Sequence, residues 1–89
     1  MIGIYMYTNK KNNKKYIGQS TNIERRRREH LCWPSPYSRF DMEMKSVGEE
    51  QFIFTVLEEC SVERLDEREK YWISFYDTIE NGYNLTPGG

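Results

Sequence analysis

Two cysteines, one histidine and three prolines are all that these 89 residues offer of the side chains that staple, ligate or interrupt a small chain. Cys32 and Cys60 lie far apart and form no metal-ligand spacing, which argues against a zinc module. They read as reduced core thiols of an intracellular protein. No apolar run approaches the roughly 20 residues a membrane helix needs, and no basic-then-apolar leader opens the chain. A soluble, cytoplasmic protein without a membrane partner is therefore expected. Repeats and low-complexity segments are missing too. Net charge is almost missing, at −1.

That near-neutrality hides a segregation. Residues 1–45 hold ten Lys and Arg against four Asp and Glu, and residues 46–89 hold three against ten, so one half is +6 and the other −7. Such asymmetry marks either a nucleic-acid face or two solvated surfaces that attract each other. The chain is short enough to bury only roughly 60–65% of its unfolded surface. Seven tyrosines, four phenylalanines and two tryptophans supply the bulk that its core then needs.

Ile2 to Tyr7 alternates and is rich in β-branched and aromatic residues, which predicts a strand. The polar turn NKKNN returns the chain into a second strand over Lys15 to Gln19. Thr21 followed by Glu24 fits a capping box, with Asn22 as the alternative cap, so a helix is expected from there to about Cys32. WPSP stops it. A second short helix over 38–47 ends at Gly48. QFIFTVLEE then gives a strand with Phe52, Phe54 and Val56 on one face, and Ser61 caps a last helix running to about Tyr76. The turn-rich NGYNLTPGG tail adds at most one short pairing. The fold class is mixed α/β: a small, mainly antiparallel sheet with helices packed on it, in the order ββααβα. Residues 1–89 make one domain, and the linker-like NLTPGG suggests the N-terminal part of a larger protein.

Three polar residues stand on apolar stripes. Val62, Leu65, Trp72 and Tyr76 follow one helical face, and that face passes through Glu69. A carboxylate there is costly to desolvate unless paired. It is either a buried ion-pair partner, with an arginine of the first helix as the candidate, or a metal-binding or catalytic carboxylate. In the first helix, Ile23 and Leu31 are the obvious core contacts, but Arg26, Arg27 and His30 lie between them. Four consecutive arginines cannot share a face, because each step turns the helix by about 100°. Arg26 or Arg27 can share one with Ile23 and His30, leaving the others as a solvated face or diffuse phosphate contacts. His30 is either structural or a site residue facing the same way as Glu69. In the hairpin, Gly3, Tyr5, Tyr7, Tyr16 and Gly18 all share a face if opposed residue numbers sum to an odd value, and a slip by one separates them. The glycines would then leave a shallow floor beside the tyrosines.

GIY at Gly3–Tyr5 and YIG at Tyr16–Gly18, separated by ten residues, precede RRRREH, EREKYWI and GYN. In that order these motifs resemble the GIY-YIG nuclease family, and more its phage- and intron-encoded homing members than its repair-excision branch. The resemblance covers nearly the whole chain. CWPSPYSRF departs from the glycine- and histidine-bearing stretch common in homing members. The resemblance implies a three-stranded antiparallel sheet flanked by helices and Mg²⁺- or Mn²⁺-dependent hydrolysis of a DNA phosphodiester. It places the site tyrosines at Tyr5 and Tyr16, and the arginine, ten residues after the second tyrosine, at Arg26. The histidine falls on His30, the metal-binding glutamate on Glu69 and the supporting asparagine on Asn84. Tyr5 is then a general base or water-positioning group, and Tyr16 and His30 orient water or shuttle protons. Arg25, Arg27, Arg28, Lys14 and Lys15 remain for looser contacts to the DNA backbone. A non-cleaving nucleic-acid-binding module and a purely structural domain with two charged faces are the competing readings. No element reads as a groove-reading device, and a monomer is the default.

Overall fold

The computed structural model describes residues 1–88; Gly89, the last residue of the linker-like tail, lies outside the described residues. Its elements follow the order β1 (Gly3–Asn9), β2 (Lys15–Ser20), α1 (Ile23–Cys32), α2 (Arg39–Val47), β3 (Phe52–Glu59) and α3 (Leu65–Tyr76). Short 3₁₀ turns precede β3 and α3. The strands form one antiparallel sheet in the order β2-β1-β3. The expected class and element order both hold. Among the described residues no helix is long and apolar enough to cross a membrane.

Local chemistry sets the element ends. In the β1–β2 turn, Asn9 and Asn12 side chains accept from the Lys11 and Lys14 amides, and Asn13 takes a left-handed φ of 61°. Asparagine tolerates both roles. Helix α1 is capped by Asn22, whose Oδ1 accepts from the Arg25 amide at 3.0 Å. The Thr21 capping box does not form, because Glu24 instead pairs with the N-terminal ammonium at 3.1 Å. Ser38 caps α2, and Gly48 ends it at φ 93°. Ser61 stands at the head of the 3₁₀ turn over Val62–Arg64 but makes no side-chain capping bond, so α3 proper begins later than expected.

Strand β1 is central and buried on both faces. On one side Tyr5, Tyr7, Ile23, Phe40, Met44, Phe52 and Tyr83 form a core under α1 and α2. On the other Ile4, Met6, Ile17, Leu65 and Ile73 pack beneath α3. Three expectations about the core fail. Leu31 is exposed and His30 takes its place inside, because the buried face of α1 runs through Ile23 and His30. Val62 lies in the 3₁₀ turn before α3 and is exposed, and on α3 Ile73 completes the buried face with Leu65. Cys32 is exposed at the end of α1 and Cys60 is half-buried, so they do not form a pair of core thiols. On β3, Phe52 and Phe54 lie opposite Asn9 and Tyr7 as the alternation requires. Val56 follows them but is exposed, beside an irregularity in the β1–β3 register.

The hairpin register pairs Tyr5 with Gly18 and Tyr7 with Tyr16, so opposed numbers sum to an odd value and the tyrosines share a face. The glycines do not leave an open floor, however. A Cβ on Gly18 would lie 2.4 Å from the Tyr5 ring and hydroxyl, and one on Gly3 would lie 2.1 Å from the Glu58 carbonyl. The space beside Gly18 is already filled by Tyr5. Gly18→Ala should therefore displace Tyr5 and cost about 1–3 kcal/mol, lowering the Tm by roughly 4 °C or more. Circular-dichroism melts check this, and an unchanged Tm would mean that Tyr5 does not need that space.

Candidate active site

A cleft of about 430 Å³ opens at the free edge of β2, where the two layers of helices meet around the sheet. Tyr16 from β2, Arg26 from α1, Asp41 from α2, Glu69 from α3 and Asn84 from the tail line it. The tail reaches this edge by imitating a strand. Tyr83 donates its amide to the Lys15 carbonyl at 2.9 Å. The Asn84 side chain then accepts from the Ile17 amide at 2.9 Å and donates to the Ile17 carbonyl at 2.8 Å. One primary amide thus replaces a peptide unit on the edge of the sheet. The short extra pairing expected of the tail takes this form, and Asn84 supports the cleft wall.

Arg26 is half-buried, and its charge acts on the phenols of both Tyr5 and Tyr16, favouring their ionisation against the larger effect of burial. It also approaches Glu29 at 3.5 Å. Arg27, one step round the helix, turns away and stacks 4.3 Å above the Phe54 ring. Beside it the buried Tyr7 phenol is pushed up to about 12 by desolvation, against the opposing charge of Arg27. Of the two arginines left open by helical geometry, Arg26 is the one in the cleft.

Tyr5 lies one layer deeper. It is 1% exposed, and burial pushes its phenol well above the ordinary range; Tyr16 reinforces the shift and Arg26 opposes it. Its hydroxyl meets His30 Nε2 at 2.7 Å, and His30 Nδ1 meets Asp41 Oδ1 at 2.6 Å. His30 therefore does not face the cleft beside Glu69 as expected; it stands behind Tyr5, 1% exposed. Asp41 was not singled out in the sequence. An acid three places after a capping serine is ordinary for a helix first turn, and nothing in its spacing points to a histidine on another helix. Burial opposes its ionisation, but hydrogen bonds from His30 and the Ser35 amide outweigh that and hold the carboxyl below the usual aspartate range.

Glu69 is half-buried at the cleft wall, not set within the apolar core. Its Oε1 accepts from Gln19 Nε2 at 3.0 Å, and the same nitrogen donates to Asp66 Oδ1 at 2.7 Å. Gln19, a second residue the sequence did not single out, ties the carboxylates of α3 to β2. Among the described residues no cluster of three or more histidine, cysteine or acidic side chains is built to hold a metal. The Glu69 carboxylate in an open polar cleft suits Mg²⁺, which keeps several waters and takes its remaining oxygens from phosphate. It does not suit a closed zinc site.

The looser basic residues disperse. Arg25 pairs with Glu29 at 3.8 Å, and Arg28 is exposed. Lys15 Nζ is held by Asn13 at 3.0 Å and lies 5.6 Å from the centre of the Tyr76 ring. Lys14 borders a neighbouring hollow with Tyr37 and Arg39. None of Arg25, Arg27, Arg28, Lys14 or Lys15 lines the cleft itself. The pairs Arg64–Glu67 and Arg68–Glu58 likewise stay within the acidic half.

A family model described as the GIY-YIG catalytic domain matches residues 1–84. Among solved structures, the chain is similar to a glutamate-to-alanine variant of the catalytic domain of intron endonuclease I-TevI. The TM-score is 0.83 at 28% identity, covering 99% of this chain and 96% of that one. A second structure, the catalytic domain of homing endonuclease I-TevI, matches with a TM-score of 0.80 at 29% identity, covering 97% and 99%. No curated protein matches the sequence.

Proposed function

The chain belongs to the GIY-YIG nuclease family, and from that premise we propose that it is a metal-dependent endonuclease hydrolysing DNA phosphodiesters. The observation that carries this reading is the placement of Arg26, Glu69 and Tyr16 on one cleft, with the Arg26 charge acting on both motif tyrosines. A cation and a carboxylate facing the same polar space suit a phosphate and its metal, whereas a module that only grips DNA has no use for the carboxylate.

Arg26 forks onto two non-bridging phosphate oxygens, a geometry that a guanidinium matches and an ammonium does not. Mg²⁺ or Mn²⁺, held by Glu69, supplies neutralisation of phosphate charge and of the leaving oxygen. Gln19 fixes the rotamer of that carboxylate. Tyr16, half-exposed in the cleft, orients the attacking water. Tyr5, whose hydroxyl meets His30 Nε2 at 2.7 Å, takes or positions the water's proton. One such site cuts one strand, so a monomer nicks and a double-strand break needs two events.

A supercoiled plasmid incubated with and without Mg²⁺ at several salt concentrations tests the reading. Metal-dependent conversion to nicked circles is expected, with nick positions showing little sequence preference. Salt-sensitive binding without cutting would make the chain a binding module instead, and neither result would leave only a structural role.

A further inference from the structure

We propose that Asp41 is a positioning residue that holds His30 in the tautomer able to take the phenolic proton of Tyr5, so that Tyr5 accepts a proton from the attacking water without remaining a phenolate. This deepens the nuclease reading above and rests on it. Asp41, His30 and Tyr5 form an unbroken chain with contacts of 2.6 and 2.7 Å, each residue 1% exposed. Both carboxylate oxygens of Asp41 are spoken for: Oδ1 faces His30 Nδ1, and Oδ2 accepts from the Ser35 amide at 2.9 Å. An ionised carboxylate has no proton to give, so the proton between Asp41 and His30 belongs to Nδ1. In the proposed tautomer the ring presents a lone pair at Nε2, and the Tyr5 hydroxyl donates to it at 2.7 Å.

The direction of that hydrogen bond has a chemical result. Tyr5 points its proton inward, while its remaining lone pairs lie toward Arg26 and the cleft. When the water gives up a proton, that proton bonds to the Tyr5 oxygen as the original phenolic proton passes to Nε2. The hydroxide left behind forms the new bond to phosphorus, and the bond to the leaving oxygen breaks. The positive charge moves to an imidazolium beside Asp41, the same division of labour a carboxylate performs for a catalytic histidine elsewhere. Afterwards the leaving alkoxide takes a proton from solvent, and the imidazolium returns its proton through Tyr5 to bulk water. The sum is one water consumed and one diester opened. A free phenolate at this depth is disfavoured by burial, and the relay avoids forming one.

His30 is the only histidine in the chain, so its ring nitrogens are read without ambiguity by nitrogen-15 NMR. In wild type the proton should sit on Nδ1 with Nε2 unprotonated; a ring protonated at Nε2 alone would overturn the proposal before any cleavage is measured. Asp41→Asn keeps the shape but offers one acceptor where two are used. Its oxygen should stay with Ser35 and its NH₂ should face Nδ1, driving the ring toward the Nε2–H tautomer. Nicking at saturating DNA and Mg²⁺ should then fall by about 10²-fold or more, with DNA affinity unchanged. A variant that shows the altered tautomer yet cuts at the wild-type rate refutes the relay and leaves the nuclease reading standing. Wild-type protein that cuts no DNA removes both. If Asp41→Asn does not fold, rates in H₂O/D₂O mixtures decide on the wild type: a curved dependence from two moving protons is expected, and a strictly linear one is incompatible.

Discussion

Glu69→Gln should abolish cleavage while leaving the fold and DNA binding intact. A divalent metal held by Glu69 would contribute several kcal/mol of transition-state charge stabilisation, and about 4 kcal/mol corresponds to roughly 10³ in rate. Glutamine preserves the size of a side chain that is only half-buried, and an amide oxygen can still accept from Gln19 Nε2. The neutral side chain is a far poorer ligand for a hard divalent cation. Mg²⁺ should raise the wild-type Tm by mass action on the folded state, and do so much less in the variant. Melts paired with plasmid nicking check both halves. A variant that still cuts near the wild-type rate would make Glu69 a structural partner of Gln19 and place the metal elsewhere.

Arg26→Ala and Arg27→Ala should separate sharply although the residues are adjacent. Arg26 lines the cleft and its charge acts on the two motif tyrosines, whereas Arg27 lies over Phe54 outside it. Losing a preorganised cationic donor at the reacting phosphate costs about 10²–10³ in kcat by analogy with other such donors. Losing a peripheral cation weakens binding slightly and salt screens what remains. Single-turnover rates at saturating DNA distinguish the two. Equal losses would show that the helix presents both guanidiniums to the substrate.

The parts of the site that could be read in advance are those governed by period and register. Alternation along β1 and β2 put Tyr5 and Tyr16 on a shared face, conditional on a register that the sheet adopts. Helical spacing narrowed four arginines to two, and the family resemblance chose Arg26. Glu69 stood out because a carboxylate interrupted an apolar stripe, yet the physical inference was half right. The buried stripe runs instead through Leu65 and Ile73, and Glu69 lies on its border, where the helix passes the sheet edge. Asp41 and Gln19 stayed invisible because each looks commonplace in its own element. Their roles arise only from contacts to His30 and to Glu69, between elements distant in the chain. The placement of His30 behind Tyr5 is likewise a tertiary fact, which no one-dimensional spacing encodes.

The cleft draws on both layers of the molecule, with Arg26 from the helix above the sheet, Glu69 from the helix below and Asn84 from the last turn of chain. No subset of consecutive elements contains it. The hairpin and the basic helix alone lack the carboxylate of α3 and the amide of the tail that complete it. Domains generally fold as units during synthesis, so the cleft is complete only once the segment carrying Tyr83 and Asn84 has docked against β2.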